Sequence, residues 1–360
     1  MGKGTIYRRK DGRWEARIPL GKDKGGKRLS RSFYGSTREE AEYKMSTFLQ
    51  RDEFYAVTEM TVKELTLEWL FIMNQKIKQS TAANYRMKAE KHIIPSFGSI
   101  NCNMLKAADI YHFIEKKLKA GLSARYVFDI VVLMKSIYRY ASRIYRIKNV
   151  LDGLTMPKRS KTEVDMLNSE QQAKLDEYIQ NSNSLTALGI AISKYMGLRI
   201  GEVCALQWSD VNIEKRIITV RKTVQRIQCF GEKKRTKIVV TEPKSASSVR
   251  EIPIPSRLIP MLMRCKSSQE KYVISGSMKP LEPRAMQYRF ARILRNENLP
   301  SVHFHSLRHS FATNCIALGF DVKTLSEILG HSSVEITLNR YVHSSIERKR
   351  ACMDLLSVGF

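Results

Sequence analysis

Apolar and polar residues alternate along the start of the chain. "GTIYRRK", "RWEARIPL" and "RLSRSFYG" each repeat with a period of two, the pattern of a half-buried strand. Asp11-Gly12 lies between the first two runs and predicts a tight hairpin, and "GKDKGGK" forms the next loop. The period then changes in "STREEAEYKMSTFLQRDEF", where Ser36 or Thr37 caps a helix with glutamates in its first turn. A three-stranded sheet plus one helix is therefore predicted over residues 1–57.

From residue 58 to 155 the spacing is helical. "TVKELTLEWLFIMNQ" has Thr61 as cap and Glu64 as its partner. "KQSTAANYRMKAEKHIIPSFG" reads as a helix stopped by Pro95 and Gly98. "KAADIYHFIEKKLKAG" ends at Gly121, and "SARYVFDIVVLMKSIYRYASRIYRI" is a long amphipathic helix. The stretch 156–165 has linker composition. Residues 166–360 begin and end in helices, with "RIITVRKTVQRI" and "TKIVVTEPKSASSVREIPIP" as strands of a small antiparallel sheet. The fold class is thus multidomain: a small sheet plus helix, an all-α part, then a mixed α+β part that is mainly α.

Composition narrows the function. The chain has 360 residues, more than one core normally serves, and 43% of them are apolar. No apolar run reaches bilayer length and no apolar stretch follows the charged N-terminus, so a cytoplasmic protein without a membrane partner is expected. Six cysteines form no C-x-x-C pair, which predicts reduced thiols and neither a zinc site nor a disulfide framework. The 62 basic residues against 35 acidic ones leave +27, which favours a polyanionic partner, nucleic acid above all.

Within 166–360 the polar punctuation carries the chemistry. In "YMGLRIGEVCALQWSDVN", Leu198, Ile200, Val203, Leu206 and Trp208 predict burial around Arg199. A buried guanidinium needs an anionic partner, and Glu202 stands at helical spacing. That pair is either structural or a device that aims Arg199 at phosphate. Lys244 in "TEPKSASSVREIPI" sits on a predicted hairpin tip, as a solvated lysine or as one that enters a site once a partner binds. "HSLRHSFATN" places His305 and Arg308 on one face at a helix start, where an anion is welcome and clustered cations are not. In "LSEILGHSSVEITLNRYVHSS", Gly330 ends an apolar helix, His331 follows, and Tyr341 lies ten positions on. Singly these residues read as dipole partners, caps or core side chains.

Together, two arginines, a lysine, two histidines and a tyrosine suit phosphoryl transfer on DNA without metal. Guanidiniums bind the non-bridging oxygens, a tyrosine serves as nucleophile, and an acid and a base move the protons. No H-E-x-x-H or P-loop competes.

At these residues the chain resembles the tyrosine recombinase (phage integrase) family, most nearly the integrases of conjugative transposons and of phages of Gram-positive bacteria. The family pattern R…K…H-x-x-R…H/W…Y is matched by Arg199, Lys244, His305, Arg308, His331 and Tyr341, and Glu202 matches an acidic residue common after the first arginine. One departure is Ser306, where the family often has Asp, at a position read as supporting. The resemblance implies an arm-type DNA-binding domain at 1–57, a core-binding domain at 58–155, a linker at 156–165 and a catalytic domain at 166–360.

The resemblance further implies a site-specific recombinase, without metal or cofactor, that integrates and excises a mobile element. Tyr341 would attack a scissile phosphate to give a 3′-phosphotyrosyl link, while Arg199 and Arg308 clamp that phosphate. Lys244 would be the general acid, His305 would assist proton transfer, and His331 would bond a non-bridging oxygen. The implied partners are double-stranded DNA with core-type and arm-type sites, a homotetramer on that DNA, and, as accessories, an excisionase and a host DNA-bending protein. Lys88, Lys91, Arg125 and Lys135 would meet core-site phosphates or lie on solvated faces. Arg9, Arg17, Arg28 and Arg31, with Tyr7 and Trp14, would present the sheet to a groove, unless Trp14 packs under the helix and leaves the arginines alone. The stripe Ile346, Met353, Leu355 and Leu356 would pack on its own domain or on a neighbouring protomer. A chromosome-dimer resolvase and a non-catalytic DNA-binding regulator are the alternatives; the N-terminal sheet argues against the first and the complete six-residue set against the second.

Overall fold

A computed structural model describes residues 4–22, 28–50, 59–157, 165–229, 236–242, 249–341, 350 and 353–354. The chain divides into two units, 1–161 and 162–360. The division falls inside the stretch with linker composition.

Unit 1 opens with the antiparallel sheet β1 (Thr5–Arg8), β2 (Trp14–Lys22) and β3 (Arg28–Gly35), in that order. Gly12 takes φ +86° in the first turn, a conformation that suits glycine. Helix α1 (Arg38–Gln50) is capped by Thr37, whose Oγ1 accepts from the Glu40 backbone N–H at 3.1 Å while Glu40 reaches back to the Ser36 N–H at 2.7 Å. Ile18 and Phe48, with Phe33 and Met45, form the small core between sheet and helix.

The rest of unit 1 is helical, and its core is separate. Helix α2 (Val62–Asn74) starts with the expected Thr61–Glu64 capping box. Helix α3 (Gln79–Lys88) does not stop before Pro95. It widens into a π turn over Ala89–Ile93 and continues as α4 (Ile94–Phe97), so the proline sits at the start of a new helical turn, where no N–H is required. Helices α5 (Ala107–Lys119) and α6 (Ala124–Ile144) follow, and Gly121 at φ +83° turns the chain between them. Leu65, Trp69, Ile93, Ile110, Ile130 and Ile137 lie in the shared core.

Unit 2 begins with α7 (Ser169–Asn181), α8 (Leu185–Met196) and α9 (Ile200–Ala205). The run "RIITVRKTVQRI" is not one strand. β4 (Val211–Asn212), β5 (Ile217–Val220) and β8 (Arg250–Pro253) form one antiparallel sheet in the order β4-β5-β8, and β6 (Thr223–Gln228) pairs with β7 (Thr236–Thr241) in a separate ribbon. The break at Arg221 and Lys222 is stabilised from outside the strands. Arg221 Nε reaches Asp210 Oδ1 at 2.5 Å, and Lys222 Nζ donates to Gln207 Oε1 at 2.6 Å. Lys222 is therefore a connector residue and not a strand residue. Helices α10 (Ile259–Cys265), α11 (Pro283–Asn296), α12 (His305–Ala317), α13 (Val322–Leu329) and α14 (Val334–Tyr341) follow. Its main core is rich in residues of α8, including Leu188, Ile190 and Ile192. Among the described residues, no helix is long and apolar enough to cross a membrane, and no cluster of His, Cys, Asp or Glu could hold a metal ion.

Candidate active site

The site in unit 2 is built where two helices end. Helix α8 closes on Gly197 at φ +70° and α13 on Gly330 at φ +63°, both left-handed caps. Helix C-termini expose carbonyls without intrahelical donors and carry partial negative charge. Three arginines from distant points of the chain converge on these carbonyls.

Arg308 is 1% exposed; its Nη1 donates to Gly197 O at 2.7 Å and its Nη2 to Leu329 O at 2.6 Å. Arg199 Nη2 donates to Gly330 O at 3.1 Å. Arg250 Nε donates to Ile328 O at 2.6 Å. The carbonyls of residues 328, 329 and 330 thus each serve a different guanidinium. The compensation that Arg308 would draw from a phosphate comes, in this structure, from two helix ends. His305, one turn earlier on α12, is exposed, with its ring edge-on to buried His309 at 4.7 Å between centroids.

Glu202 supplies the formal negative charge. It is 4% exposed, and its Oε1 accepts from Arg199 Nη1 at 2.8 Å and Arg250 Nη1 at 3.3 Å. Its Oε2 accepts from the Arg199 backbone N–H and from Arg250 Nη2, both at 2.9 Å. Burial pushes this carboxyl upward, but the two guanidiniums outweigh it and hold the acid below its ordinary range. Two guanidiniums share this carboxylate and a third, Arg308, sits on the same helix end, so the cluster keeps a positive surplus. Arg199 is the member that reaches outward, with 36% of its side chain exposed. His331 follows the α13 cap directly; its N–H donates to Ser326 O at 3.1 Å, and its Nδ1 lies 2.8 Å from Oγ1 of buried Thr337.

Tyr341 is the last residue of α14, which packs against α13. Lys244 lies outside the described residues. The nearest described strands on either side, β7 and β8, belong to different sheets. The segment that carries Ile346, Leu355 and Leu356 also lies outside them.

Motif reading missed two features of unit 2. One is Arg250, whose neighbours "VREIPI" read only as a strand. The other is α11, where Arg284, Tyr288, Arg292 and Arg295 form an exposed row opposite buried Met286, Phe290, Ile293 and Leu294. Arg226, Glu282, Arg284, Tyr288, Arg289 and Arg292 line an open groove of about 560 Å³ beside that row. Helical spacing in "PRAMQYRFARILRN" already separates the two faces.

In unit 1 the residues named from sequence divide. Register places Tyr7, Glu15 and Tyr34 on one face of the sheet with Arg17 and Ser32, away from α1. Arg9 Nη1 and Arg17 Nη2 contact buried Glu15 at 2.9 and 2.7 Å, and Ser32 donates to it at 2.6 Å. These hydrogen bonds, with Ser32 first, hold Glu15 down to about 2. Arg31 and Trp14 fall on the opposite face, where the Arg31 guanidinium stacks 4.3 Å from the Phe48 ring. Arg28 opens β3. In the helical part Lys88 is buried, 3.6 Å from Asp129, and so is no open phosphate contact; Lys91 is exposed, Lys135 half-buried, and Arg125 pairs with Asp129 at 3.5 Å.

The site is thus a cationic cluster set where two helices of a mainly helical unit end. Residues 162–348 match the phage integrase family, and residues 61–118 match the N-terminal SAM-like domain of phage integrases. The chain belongs to the phage integrase family of tyrosine recombinases and is an enzyme of site-specific DNA recombination. A "tyrosine recombinase XerC-like" protein of Caldanaerobacter subterraneus is 27% identical over 99% of both chains. The ICEBs1 integrase of Bacillus subtilis is 25% identical over 98% of this chain and 99% of its own. Among solved structures, the Tn1549 transposon integrase in complex with transposon right end DNA matches with TM-score 0.70 at 24% identity, over 83% of this chain and 100% of that one. A lambda integrase tetramer bound to a Holliday junction matches with TM-score 0.60 at 18% identity, over 95% and 97%.

Proposed function

We propose that the chain integrates and excises a mobile element through a covalent phosphotyrosyl step centred on the α13 C-terminus. The observation that carries this is the seating of Arg199 and Arg308 on the consecutive carbonyls of Gly330 and Leu329, immediately before His331.

In this mechanism the Tyr341 phenol oxygen attacks the scissile phosphorus as the bond to the 5′-oxygen breaks. The phenol proton passes toward His305, and Lys244 protonates the leaving 5′-oxygen. The products are a 3′-phosphotyrosyl ester and a free 5′-hydroxyl. A 5′-hydroxyl from the partner duplex then attacks the same phosphorus and releases Tyr341. Each exchange replaces one phosphodiester by another, so no nucleotide hydrolysis is required. Arg199 meets the developing charge with its exposed edge, and Arg308 supports that charge from beneath. His331 bonds a non-bridging oxygen.

Four protomers on two duplexes carry out the paired exchanges, with an excisionase and a host DNA-bending protein as accessories. The arginine row of α11 meets DNA phosphates. The sheet of residues 1–57, with Arg9 and Arg17 on its open face, reads arm-type sites, while residues 58–155 bind the core site. The N-terminal sheet and helix favour a mobile-element integrase over a chromosome-dimer resolvase.

The test is Tyr341→Phe on a nicked suicide duplex. This variant retains DNA and yields no covalent adduct by denaturing electrophoresis; an adduct from Tyr341→Phe removes the tyrosine from its role.

A further inference from the structure

The carboxylate of Glu202 has about four acceptor positions, and all four are taken. Arg199 occupies two through Nη1 and its own backbone N–H, and Arg250 occupies the other two as a fork. A single carboxylate left to Arg199 alone could rotate or exchange with water. Clamped from the far side by a guanidinium that is itself 6% exposed, it cannot.

Arg250 has a further link. Its Nε donates to Ile328 O at 2.6 Å, in the last turn of α13. The same helix end receives Arg199 at Gly330 O and leads into His331. The approach is tight: a Cβ at Gly330 would stand 2.9 Å from Arg250 Nη1. Arg250 also opens β8, paired with Val220 of β5, so its backbone is fixed by the sheet. One side chain therefore ties strand β8 to the carboxylate that orients Arg199 and to the helix end that carries His331. At 6% exposure it has no open edge for a substrate.

We propose that Arg250 is a positioning residue of the recombination reaction, which fixes Arg199 through Glu202 and His331 through the α13 C-terminus. This rests on the reading of Arg199 as the phosphate clamp. Its purpose follows from geometry. Displacing a reactive group by 1 Å costs ~10²-fold in rate, and the Arg199 guanidinium is anchored by Gly330 O and by the carboxylate that Arg250 fixes.

The test compares Arg250→Lys, Glu202→Gln, their double variant and Arg199→Ala in the full-length protein. Each is assayed by single-turnover adduct formation at saturating suicide duplex, by DNA affinity, and by thermal melting. Lysine keeps the charge but cannot span Glu202 and Ile328 O together. Arg250→Lys is expected to melt somewhat earlier than wild type, because a buried bond to Glu202 or Ile328 O is lost, yet at a temperature where it is folded to hold DNA within about 3-fold of wild type and form adduct ~10²-fold more slowly. Acting through the same carboxylate, the double variant should be scarcely slower than the slower single variant, whereas independent effects would multiply.

Wild-type adduct rates in Arg250→Lys, or multiplicative losses in the double variant, overturn the assignment. Lost DNA affinity in Arg250→Lys at a temperature where it is folded also overturns it, by showing a residue of the fold alone. Arg199→Ala separates the two levels. If Arg199→Ala cleaves normally, the clamp reading fails and takes the positioning role with it. If Arg199→Ala is inactive while Arg250→Lys is normal, only the positioning role fails.

Discussion

Arg199 and Arg308 share a proposed substrate, yet the structure gives them unequal consequences for stability. Arg308 is 1% exposed and satisfies two helix-end carbonyls, Gly197 O and Leu329 O. A hydrogen bond to a charged group contributes about 1.5–3 kcal/mol, and its loss leaves a buried acceptor unpaired. Arg308→Ala removes both bonds, ~3–6 kcal/mol in all, against a domain stability of about 5–15 kcal/mol. Arg308→Lys keeps one and should cost ~1.5–3 kcal/mol. Arg199 differs: 36% of its side chain is exposed, and Glu202 retains Arg250 when it is gone. Arg199→Lys should cost about 1 kcal/mol or less, the scale of a partly exposed ion pair.

The assay is urea unfolding of unit 2, followed by Trp208 fluorescence in a Trp14→Phe, Trp69→Phe background. Trp208 is buried in the core of unit 2 and is the remaining one of the chain's three tryptophans. With a slope of about 1–3 kcal/mol per molar urea, Arg308→Lys should lower the midpoint by ~1 M and Arg199→Lys by a few tenths. Both should lose covalent adduct formation. Equal midpoints for the two variants would refute the claim that Arg308 stabilises the fold by capping α8 and α13.

Two further outcomes are expected. Glu15 has a depressed folded-state pKa of about 2, so its stabilising effect is present above the ordinary carboxylate range and is lost as pH falls from there through about 2. Glu15→Gln should remove that acid-side loss from the melting profile of the N-terminal sheet; a profile with the same acid limb would show that Glu15 does not anchor Arg9 and Arg17. The double variant Arg284→Ala, Arg292→Ala should reduce the slope of log affinity against log salt by roughly 0.9 per lost phosphate contact, measured by fluorescence anisotropy. An unchanged slope would place the α11 row off the DNA.

Short-range features of this chain are legible residue by residue. The Thr61–Glu64 box, the Asp11-Gly12 turn, the Thr37 cap and the glycine end of α13 each depend on a few neighbouring side chains, and each stands as the residues predict. The chemistry is also visible, because arginine, histidine and tyrosine at these spacings have few other joint uses. Pro95 misleads because a π turn upstream relieves the clash that a proline normally imposes. Lys88 reads as a surface cation and is buried, because Asp129 of α6 comes to meet it.

Local order and reaction class follow from the residues themselves, since capping, period and acid–base character act over a turn or two of chain. The partners of Arg250, Arg308 and Glu202 follow from nothing local. Strand β5 pairs with β8, skipping β6 and β7 in sequence, and three arginines from the α9 N-cap, β8 and α12 meet three consecutive carbonyls at the α13 C-terminus. Such contacts arise when packing of the unit 2 core brings helix ends and strand β8 to one place. A guanidinium then settles wherever buried acceptors and a carboxylate lower its energy, and spacing along the chain does not encode that.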